Sequence, residues 1–522
     1  MCFPDTQKPG YSAVTQSPTS IVSPKLAGQK QQGDLAEAGN GKVNNISYLI
    51  VSGGTGANFI AGAFGHSPAF VLPVSDDGGS SSEILRCFGG PSIGDIRSRL
   101  IRLIPLAQNP STREDKERAA IYRLMAHRFP ADSSENVVRD MWHEIVEGKS
   151  CLWEGIGEDK KECIRAFLVH FETQCLKRAH KRFSFRNFSL GNGFLTGARD
   201  LFGSLPSAVF LFKSVAGVSS GAQVIPCINT NQTVTIAAEL TNRDTLVGQC
   251  NISHPSPDAS PTSSLSTVTQ KIFQKGLSSM PPTLRSHFRK DSRTFDTPDA
   301  ITSSIHQEST DWQVKHDEEE KDMSNLAYRK GEGEVPLDAK IKRVFYINLY
   351  GQEIYPDPNT DFLESLHKRD VLVYSCGSLW TSIVPCLALR SLAKQIATSP
   401  TLRAKVLLVN SNNDRETSNY LVSDHVATIL AMLRHYDKPK TNKSHEQSLL
   451  QTEYKAKELI SHIVWLDGCR VEIDEEEILR LGIKIIKVPQ IIHGAKSGET
   501  PLFSNEVVEW AMDQVLCDVD PW

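Results

Sequence analysis

Short apolar runs, each closed by glycine, serine, aspartate or asparagine, set the rhythm of this chain. Residues 46–51 are Ile-Ser-Tyr-Leu-Ile-Val and lead into Gly53-Gly54, and residues 69–74 are Ala-Phe-Val-Leu-Pro-Val and lead into Ser75-Asp76-Asp77. Near-continuous apolar runs, as opposed to alternating ones, are what strands covered on both faces need. Residues 57–64 between them can form a helix, so the chain opens as strand–helix–strand, a unit that sets its two strands parallel. Further strands are expected at 223–228, 233–238, 344–349, 371–374, 405–409, 463–466 and 483–488, several separated by helices. Between 112 and 180 the period changes. Ile164, Phe167, Leu168, Phe171 and Cys175 repeat at helical spacing on one face. The pattern predicts an α/β fold: a doubly wound, mostly parallel, Rossmann-like sheet with a helical excursion.

Two stretches break the rhythm. Residues 1–44 are rich in Gln, Ser, Pro and Gly with no apolar period, and are expected to be a disordered tail. Residues 254–337 carry Ser, Thr, Pro and a charge run from Asp317 to Asp322, as expected of a disordered insertion in a surface loop, where added length costs little. A shorter insertion is expected over 437–450. The remainder, 45–522, reads as one domain. Ser256-Pro257, Ser260-Pro261 and Thr297-Pro298 have the form of proline-directed phosphorylation sites, so a kinase contact at the long insertion is one expectation; an inert insertion is the other.

With 39% hydrophobic and 23% charged residues, the chain as a whole is of globular composition. Lys plus Arg number 57 against 61 Asp plus Glu, a net charge of −4, which argues against a general nucleic-acid binder. No run approaches the ~18 apolar residues of a membrane span. The polar opening shows no secretory signal. The 11 cysteines are scattered without a C-x-x-C pair, which fits a reducing compartment. The expectation is a cytoplasmic protein with neither membrane nor nucleic-acid partner; a homodimer is left open.

Chemistry concentrates where strands end. Gly53, Gly54, Thr55 and Gly56, followed by Asn58, close the first strand; glycines there permit a tight turn and close approach of backbone N–H groups to an anion. A dinucleotide fingerprint would need a third glycine where Phe59 stands, and no Gly-Lys-Ser/Thr follows to make a Walker loop. Asp76 and Asp77 close the second strand, Asp76 lying 22 residues after Gly54. Paired carboxylates can hold magnesium through one or two oxygens, and Gly78, Gly79 and Ser80 offer donors for phosphate. The competing reading is a solvated turn. In Gly94-Asp95-Ile96-Arg97, Arg97 can grip a phosphate in bidentate fashion and Asp95 can act as a base, or the two can be a surface pair. Ser189 and Asn192 head an apolar helical stretch and are helix-capping types. Gly377, Ser378, Thr381 and Ser382 form another small-residue loop after a strand, and Asn410 ends the next one. A lone His425 on a helix is more often structural. Loops at the carboxyl ends of parallel strands converge on one cleft.

The order of these motifs resembles the 2-phospho-L-lactate transferase (CofD-like) superfamily. The resemblance runs from Gly53-Gly54-Thr55-Gly56 through Ser75-Asp76-Asp77-Gly78-Gly79-Ser80-Ser81, Gly94-Asp95-Ile96-Arg97 and Ser189-Leu190-Gly191-Asn192. It continues with Gly248-Gln249, with the run from Gly377 to Pro385, and with Glu416-Thr417 ahead of Asp424-His425. It covers about 46–435 without the insertion, with a weaker tail, and is closer to the gluconeogenesis-factor (YvcK-like) branch. The transferase branch implies transfer of a phospholactyl group from a guanosine diphosphate-activated donor to a deazaflavin hydroxyl, with magnesium. The YvcK-like branch implies nucleotide-sugar binding and control of carbon metabolism or envelope synthesis. Cys376 stands where the pattern has Pro, and Ser98 where it has Asn.

The leading expectation is therefore a transferase-like enzyme acting on a nucleoside-diphosphate-linked substrate, with Mg at Asp76 and Asp77. Asp95 and Arg97 are its catalytic pair, and the loops cradle the phosphates. The alternatives are a non-catalytic nucleotide-sugar-binding regulator and, less favoured because of Phe59, a NAD-dependent oxidoreductase.

Overall fold

Seven of the apolar runs pair into one sheet in the computed structural model, which describes residues 46–54, 56–253, 336–437, 454–496 and 498–519. The expected tail and almost all of the long insertion lie outside the described residues, as do Thr55 and residues 438–453. What is described belongs to a single compact unit beginning at Ile46.

The strands are β1 (Tyr48–Val51), β2 (Ala69–Leu72), β3 (Gln223–Pro226), β4 (Thr235–Leu240), β5 (Thr245–Val247), β6 (Ile341–Ile347), β7 (Glu353–Ile354), β8 (Val371–Tyr374), β9 (Ala404–Leu408), β10 (His462–Leu466) and β11 (Lys484–Val488). The large sheet has the order β11-β10-β9-β8-β1-β2-β3, and all of its pairings are parallel. From β1 the chain steps to β2 and β3 on one side. It then returns at β8 to the other side of β1 and steps outward. β1 and β8 thus flank the topological switch point, where open α/β sheets hold their ligands.

Alternate residues of each strand enter two cores. Leu49, Val51, Val71, Leu372 and Tyr374 join the larger one. Tyr48, Ile50, Phe70, Val371 and Val373 face the other, which also takes up Ala57, Ile60 and Phe64. Burial on both faces explains why these strands read as continuous apolar runs.

Two expectations need correction. Residues 57–64 form no α-helix but two 3₁₀ turns, Gly56–Asn58 and Ala61–Phe64. Gly56, Gly62 and Gly65 make a regular helix costly there. The runs at 233–238 and 344–349 belong to a second, antiparallel sheet of order β5-β4-β6-β7. Only Thr241, Asn242, Arg243 and Asp244 separate β4 from β5, and so short a link can join only antiparallel neighbours.

The helical excursion is present as α3 (Arg113–Ala126), α4 (Glu135–Val146) and α5 (Glu158–Lys177). α1 (Ser80–Phe88) and α2 (Gly94–Arg102) precede it; α6 (Leu190–Phe202), α7 (Leu205–Ala216) and α8 (Gln249–Ser253) follow. Trp142 packs with Phe129, Phe171, Phe185 and Phe188 in an aromatic cluster that anchors the segments entering and leaving the excursion.

Candidate functional site

The loop after β1 is organised from beneath by Arg99, a fully buried side chain of α2. Its guanidinium donates to the Ala57 carbonyl at 3.1 Å, the Ser52 hydroxyl at 3.2 Å and the Gly53 carbonyl at 3.4 Å. It also lies 4.3 Å from the centre of the Phe70 ring. Burial draws its pKa down to about 10, and the nearby Asp95 carboxylate opposes that shift. Asn58 is tied to α2: its Nδ2 donates to Ser98 Oγ at 2.8 Å, and Ser98 Oγ in turn donates to the Gly54 carbonyl at 3.3 Å. The glycines are required by packing. A Cβ on Gly54 would strike the Asp95 carboxylate, one on Gly53 would lie 2.7 Å from Ser382 Cβ, and one on Gly56 would lie 3.2 Å from Gly377 Cα. The two loops that flank the switch point therefore touch, although more than 300 residues separate them.

Beside them three carboxylates converge. Asp76 Oδ1 accepts from the Gly78 N–H at 3.1 Å, and its other oxygen lies against the start of α2, where a Cβ on Gly94 would come within 2.6 Å. Asp77 Oδ1 accepts from the Cys250 N–H of α8 at 2.8 Å. Burial, and then the Asp76 charge, push Asp95 up to about 7. Burial also lifts Asp77 to about 6, against the Cys250 N–H and with the help of Asp76. Asp76 itself is raised by burial. Among the described residues no three His, Cys, Asp or Glu side chains close around one metal position. Magnesium does not need such a cage, because it is commonly held by one or two carboxylates, with phosphate oxygens and waters completing the shell. Asp76 and Asp77 fit that mode.

The loop after β8 departs from expectation. Gly377, at φ 139°, is clamped by Asn410, whose Oδ1 accepts the Gly377 N–H at 2.8 Å and whose Nδ2 donates to the Gly377 carbonyl at 2.7 Å. Asn410 thus holds this loop with both ends of its amide. The following turn, Leu379–Ile383, already has a carboxyl group against it. Glu416 Oε2 accepts the Trp380 and Thr381 N–H groups at 3.0 and 3.2 Å, and the Thr381 and Ser253 hydroxyls lie against Oε1. The phosphate expected on this turn has the chain's own carboxylate in its place. Burial, then the Asp414 charge, push Glu416 up to about 7.

Arg97 and Asp95 were expected to work together, but they occupy different faces of α2. Two residues apart on a helix is about 200° of rotation. Asp95 meets Gly54, whereas Arg97 Nη1 donates to Ser189 Oγ at 2.5 Å and its Cδ lies over the start of α6, where a Cβ on Gly191 would be 3.1 Å away. Asn192 Nδ2 donates to Ser80 Oγ at 2.7 Å and so ties α6 to the head of α1. Gly79, at φ 51°, precedes that helix and has no side chain to cap it. His425 is buried, with Nδ1 3.0 Å from the Leu421 carbonyl, and takes a structural place.

The structure thus brings Gly53, Gly54, Gly56, Gly377, Ser382, Asp76, Asp77 and Asp95 together, and sets Ser80, Asn192, Ser189 and Arg97 along an adjoining wall. Sequence reasoning passed over Arg99, Glu416 and Ser253. Glu416 lay within a motif already noted; a buried arginine two residues beyond Arg97 left no sign in spacing alone.

An open, doubly wound sheet with glycine loops and carboxylates at its switch point defines an α/β protein of the class that binds ligands at the carboxyl ends of its strands. The chain belongs to the 2-phospho-L-lactate transferase CofD family, whose sequence model matches residues 49–491. The uncharacterized protein YNL011C of Saccharomyces cerevisiae is 34% identical over 444 residues, 82% of this chain and 92% of its own. A gluconeogenesis factor of Listeria innocua is 32% identical over 167 residues, 32% of this chain and 47% of its own. A solved structure from Bacillus halodurans, a member of the upf0052 family, superposes with a TM-score of 0.50 at 17% identity, covering 90% of this chain and 99% of that one. The matches to gluconeogenesis factors place the chain near that branch of the superfamily. Among the described residues no helix is long and apolar enough to cross a membrane.

Proposed function

We propose that the protein transfers a group from a nucleoside-diphosphate-linked substrate, with magnesium held by Asp76 and Asp77. The observation that carries this reading is the meeting of Asp76, Asp77 and Asp95 beside the glycine loop at the switch point. Burial raises all three pKa values, the Asp76 charge adds to the rise of Asp77 and Asp95, and Arg99 backs the loop from inside the protein. Carboxyl groups raised in this way are candidates for a site that takes up a cation or a proton. Magnesium bound there supplies positive charge to a diphosphate and its leaving oxygen. Asp95, poised near neutral pH, is placed to accept the proton of an acceptor hydroxyl. The loop after β1 offers backbone N–H groups. Because Glu416 satisfies the turn after β8, that turn shapes the cleft instead of binding phosphate.

A second reading is a regulator that binds nucleotide sugars without turnover. The gluconeogenesis factors among its relatives favour it. The NAD-dependent oxidoreductase loses further ground, because among the described residues the glycine loop leads into 3₁₀ turns and not into an α-helix that could face a pyrophosphate.

The test is to titrate the full chain with nucleoside diphosphates and nucleotide sugars, with and without magnesium, and to search for products by mass spectrometry. Magnesium-dependent binding that Asp76→Asn weakens at least tenfold, with product formed, supports the transferase. Binding without product from any acceptor supports the regulator. Wild-type affinity and metal dependence in Asp76→Asn would defeat the carboxylate assignment under both.

A further inference from the structure

The wall that carries Arg97 holds a second feature that the reading above does not use. Arg128 leaves the end of α3 and pairs with Ser189 in an isolated antiparallel bridge, flanked by a Phe129 N–H to Phe188 carbonyl bond of 2.9 Å and a Leu190 N–H to His127 carbonyl bond of 3.0 Å. Ser189 receives the Arg97 guanidinium on its hydroxyl at 2.5 Å. Arg97 thus reaches the Ser189 hydroxyl, while the Arg128 backbone pairs with Ser189 and its guanidinium turns to Asn187 next to it. Arg128 donates to the Asn187 carbonyl at 2.7 Å and Arg97 to Ser189; among the described residues neither forms an ion pair with a carboxylate. The Nε of Arg97 is buried with no hydrogen-bond partner. Next to burial, the charge acting on Arg97 is that of Arg128, and it acts unfavourably.

Arg97 is partly buried and Arg128 exposed, and two guanidinium groups near one another without a carboxylate partner repel, a repulsion that an anion between them relieves. Some arginines of this protein are paired with acids, and others, such as Arg99 and Arg199, are met by carbonyls. Arg86 is paired with Glu83, and Arg343 lies between Glu239 and Glu353. Here, among the described residues, none of the acids of α2 and α3 pairs with Arg97 or Arg128: Asp95 turns to Gly54, Asp115 to Arg118 and Glu117 to Lys160. The Ser189 hydroxyl, which would ordinarily cap α6, is turned to Arg97, and no side chain caps that helix. The aromatic cluster beneath fixes the Arg128–Ser189 bridge, so the arrangement does not depend on one flexible side chain.

We infer that Arg97, Arg128 and Ser189 form a subsite for a second anionic group, a phosphate or carboxylate carried by the transferred part of the ligand or by its acceptor. Its assignment to the ligand rests on the proposed function. The anion site itself does not. Asp95 and Arg97 then act on different parts of the ligand from opposite faces of α2, and the nucleoside diphosphate on the β1 loop is not the anion that Arg97 holds.

The test uses the full chain and two probes titrated separately by calorimetry, inorganic phosphate and acetate, with Arg128→Gln and Arg97→Gln as variants. Arg128 is exposed at the surface, so its variant is expected to fold, and melting curves check both. Phosphate should bind the wild type at one site, and each variant should weaken it at least tenfold, whereas guanosine diphosphate with magnesium should change less than threefold in Arg128→Gln. Acetate binding at the same site and comparable strength would mark a carboxylate subsite; phosphate alone would mark a phosphate subsite. No phosphate binding by the wild type, or equal binding by the wild type and both variants, overturns the inference. Phosphate binding that responds to both arginines, in a protein that takes no nucleoside diphosphate, would leave the anion subsite standing and remove the transferase reading.

Discussion

Arg97 and Arg99 are two positions apart on α2, yet one opens onto the cleft wall and the other is sealed beneath the glycine loop. Arg99 contributes no charge to solvent; it fixes carbonyls and thereby the path of Gly53 and Ala57. Arg99→Lys keeps the charge but loses the fork that reaches several oxygens at once. The variant is expected to lose about 2–4 kcal/mol of stability in urea titrations, because a buried donor set is left half satisfied. Ligand affinity should fall as well, since the loop loses its support. Unchanged stability would show that the loop is held by its glycine contacts alone. At this scale the sequence was partly legible. Asp76, Asp77 and Gly54 could be picked out because they stand where a strand ends. Which arginine turns inward could not, because that depends on helical phase relative to a core whose other side comes from β2 and Phe70.

At the scale of elements, Glu416 shows how a turn that looks like a ligand site can be completed by its own chain. The sequence showed the turn, since Gly377, Ser378 and Thr381 follow an apolar strand. It did not show the carboxylate that fills it, because Glu416 arrives from beyond the next strand. Its pKa is raised from 4.5 to about 7. The native state therefore retains a proton that the unfolded chain releases at lower pH. Stability from this group is fully present below about pH 4.5 and is lost as pH rises through about 7. Glu416→Gln should place its carbonyl toward Trp380 and Thr381 and its amide toward the Ser253 and Thr381 hydroxyls. It should therefore fold, and between pH 5 and 8 it should lose less stability than wild type, by on the order of 1–3 kcal/mol. Parallel pH dependence of the two proteins in denaturant titrations would contradict this account. Glu416→Ala leaves two buried N–H groups without a partner and should destabilise at every pH. The 3₁₀ turns after β1 teach the same lesson in reverse: apolar spacing suggested a helix, and three glycines with Arg99 holding the Ala57 carbonyl prevented one.

For the whole molecule, the sequence carried the doubly wound sheet well, because strands buried on both faces leave continuous apolar runs. It carried the antiparallel sheet poorly, because such runs do not state direction and the turn at Asn242 was passed over. The long insertion emerges after Ser253, whose hydroxyl touches Glu416, so a shortened chain must keep that residue. Replacing 254–335 with a short flexible linker should leave the melting midpoint within about 2–4 °C, since loop length enters only logarithmically. A larger fall would mean that the segment packs on the domain. If the carboxylates at the switch point hold a nucleoside diphosphate through magnesium, calorimetric titration of the full chain with guanosine and uridine diphosphates shows it most directly. Binding that needs magnesium in wild type and is weakened at least tenfold by Asp76→Asn, with the variant's melting curve intact, is the expected result. Binding of equal strength without magnesium, or no loss in Asp76→Asn, would contradict it.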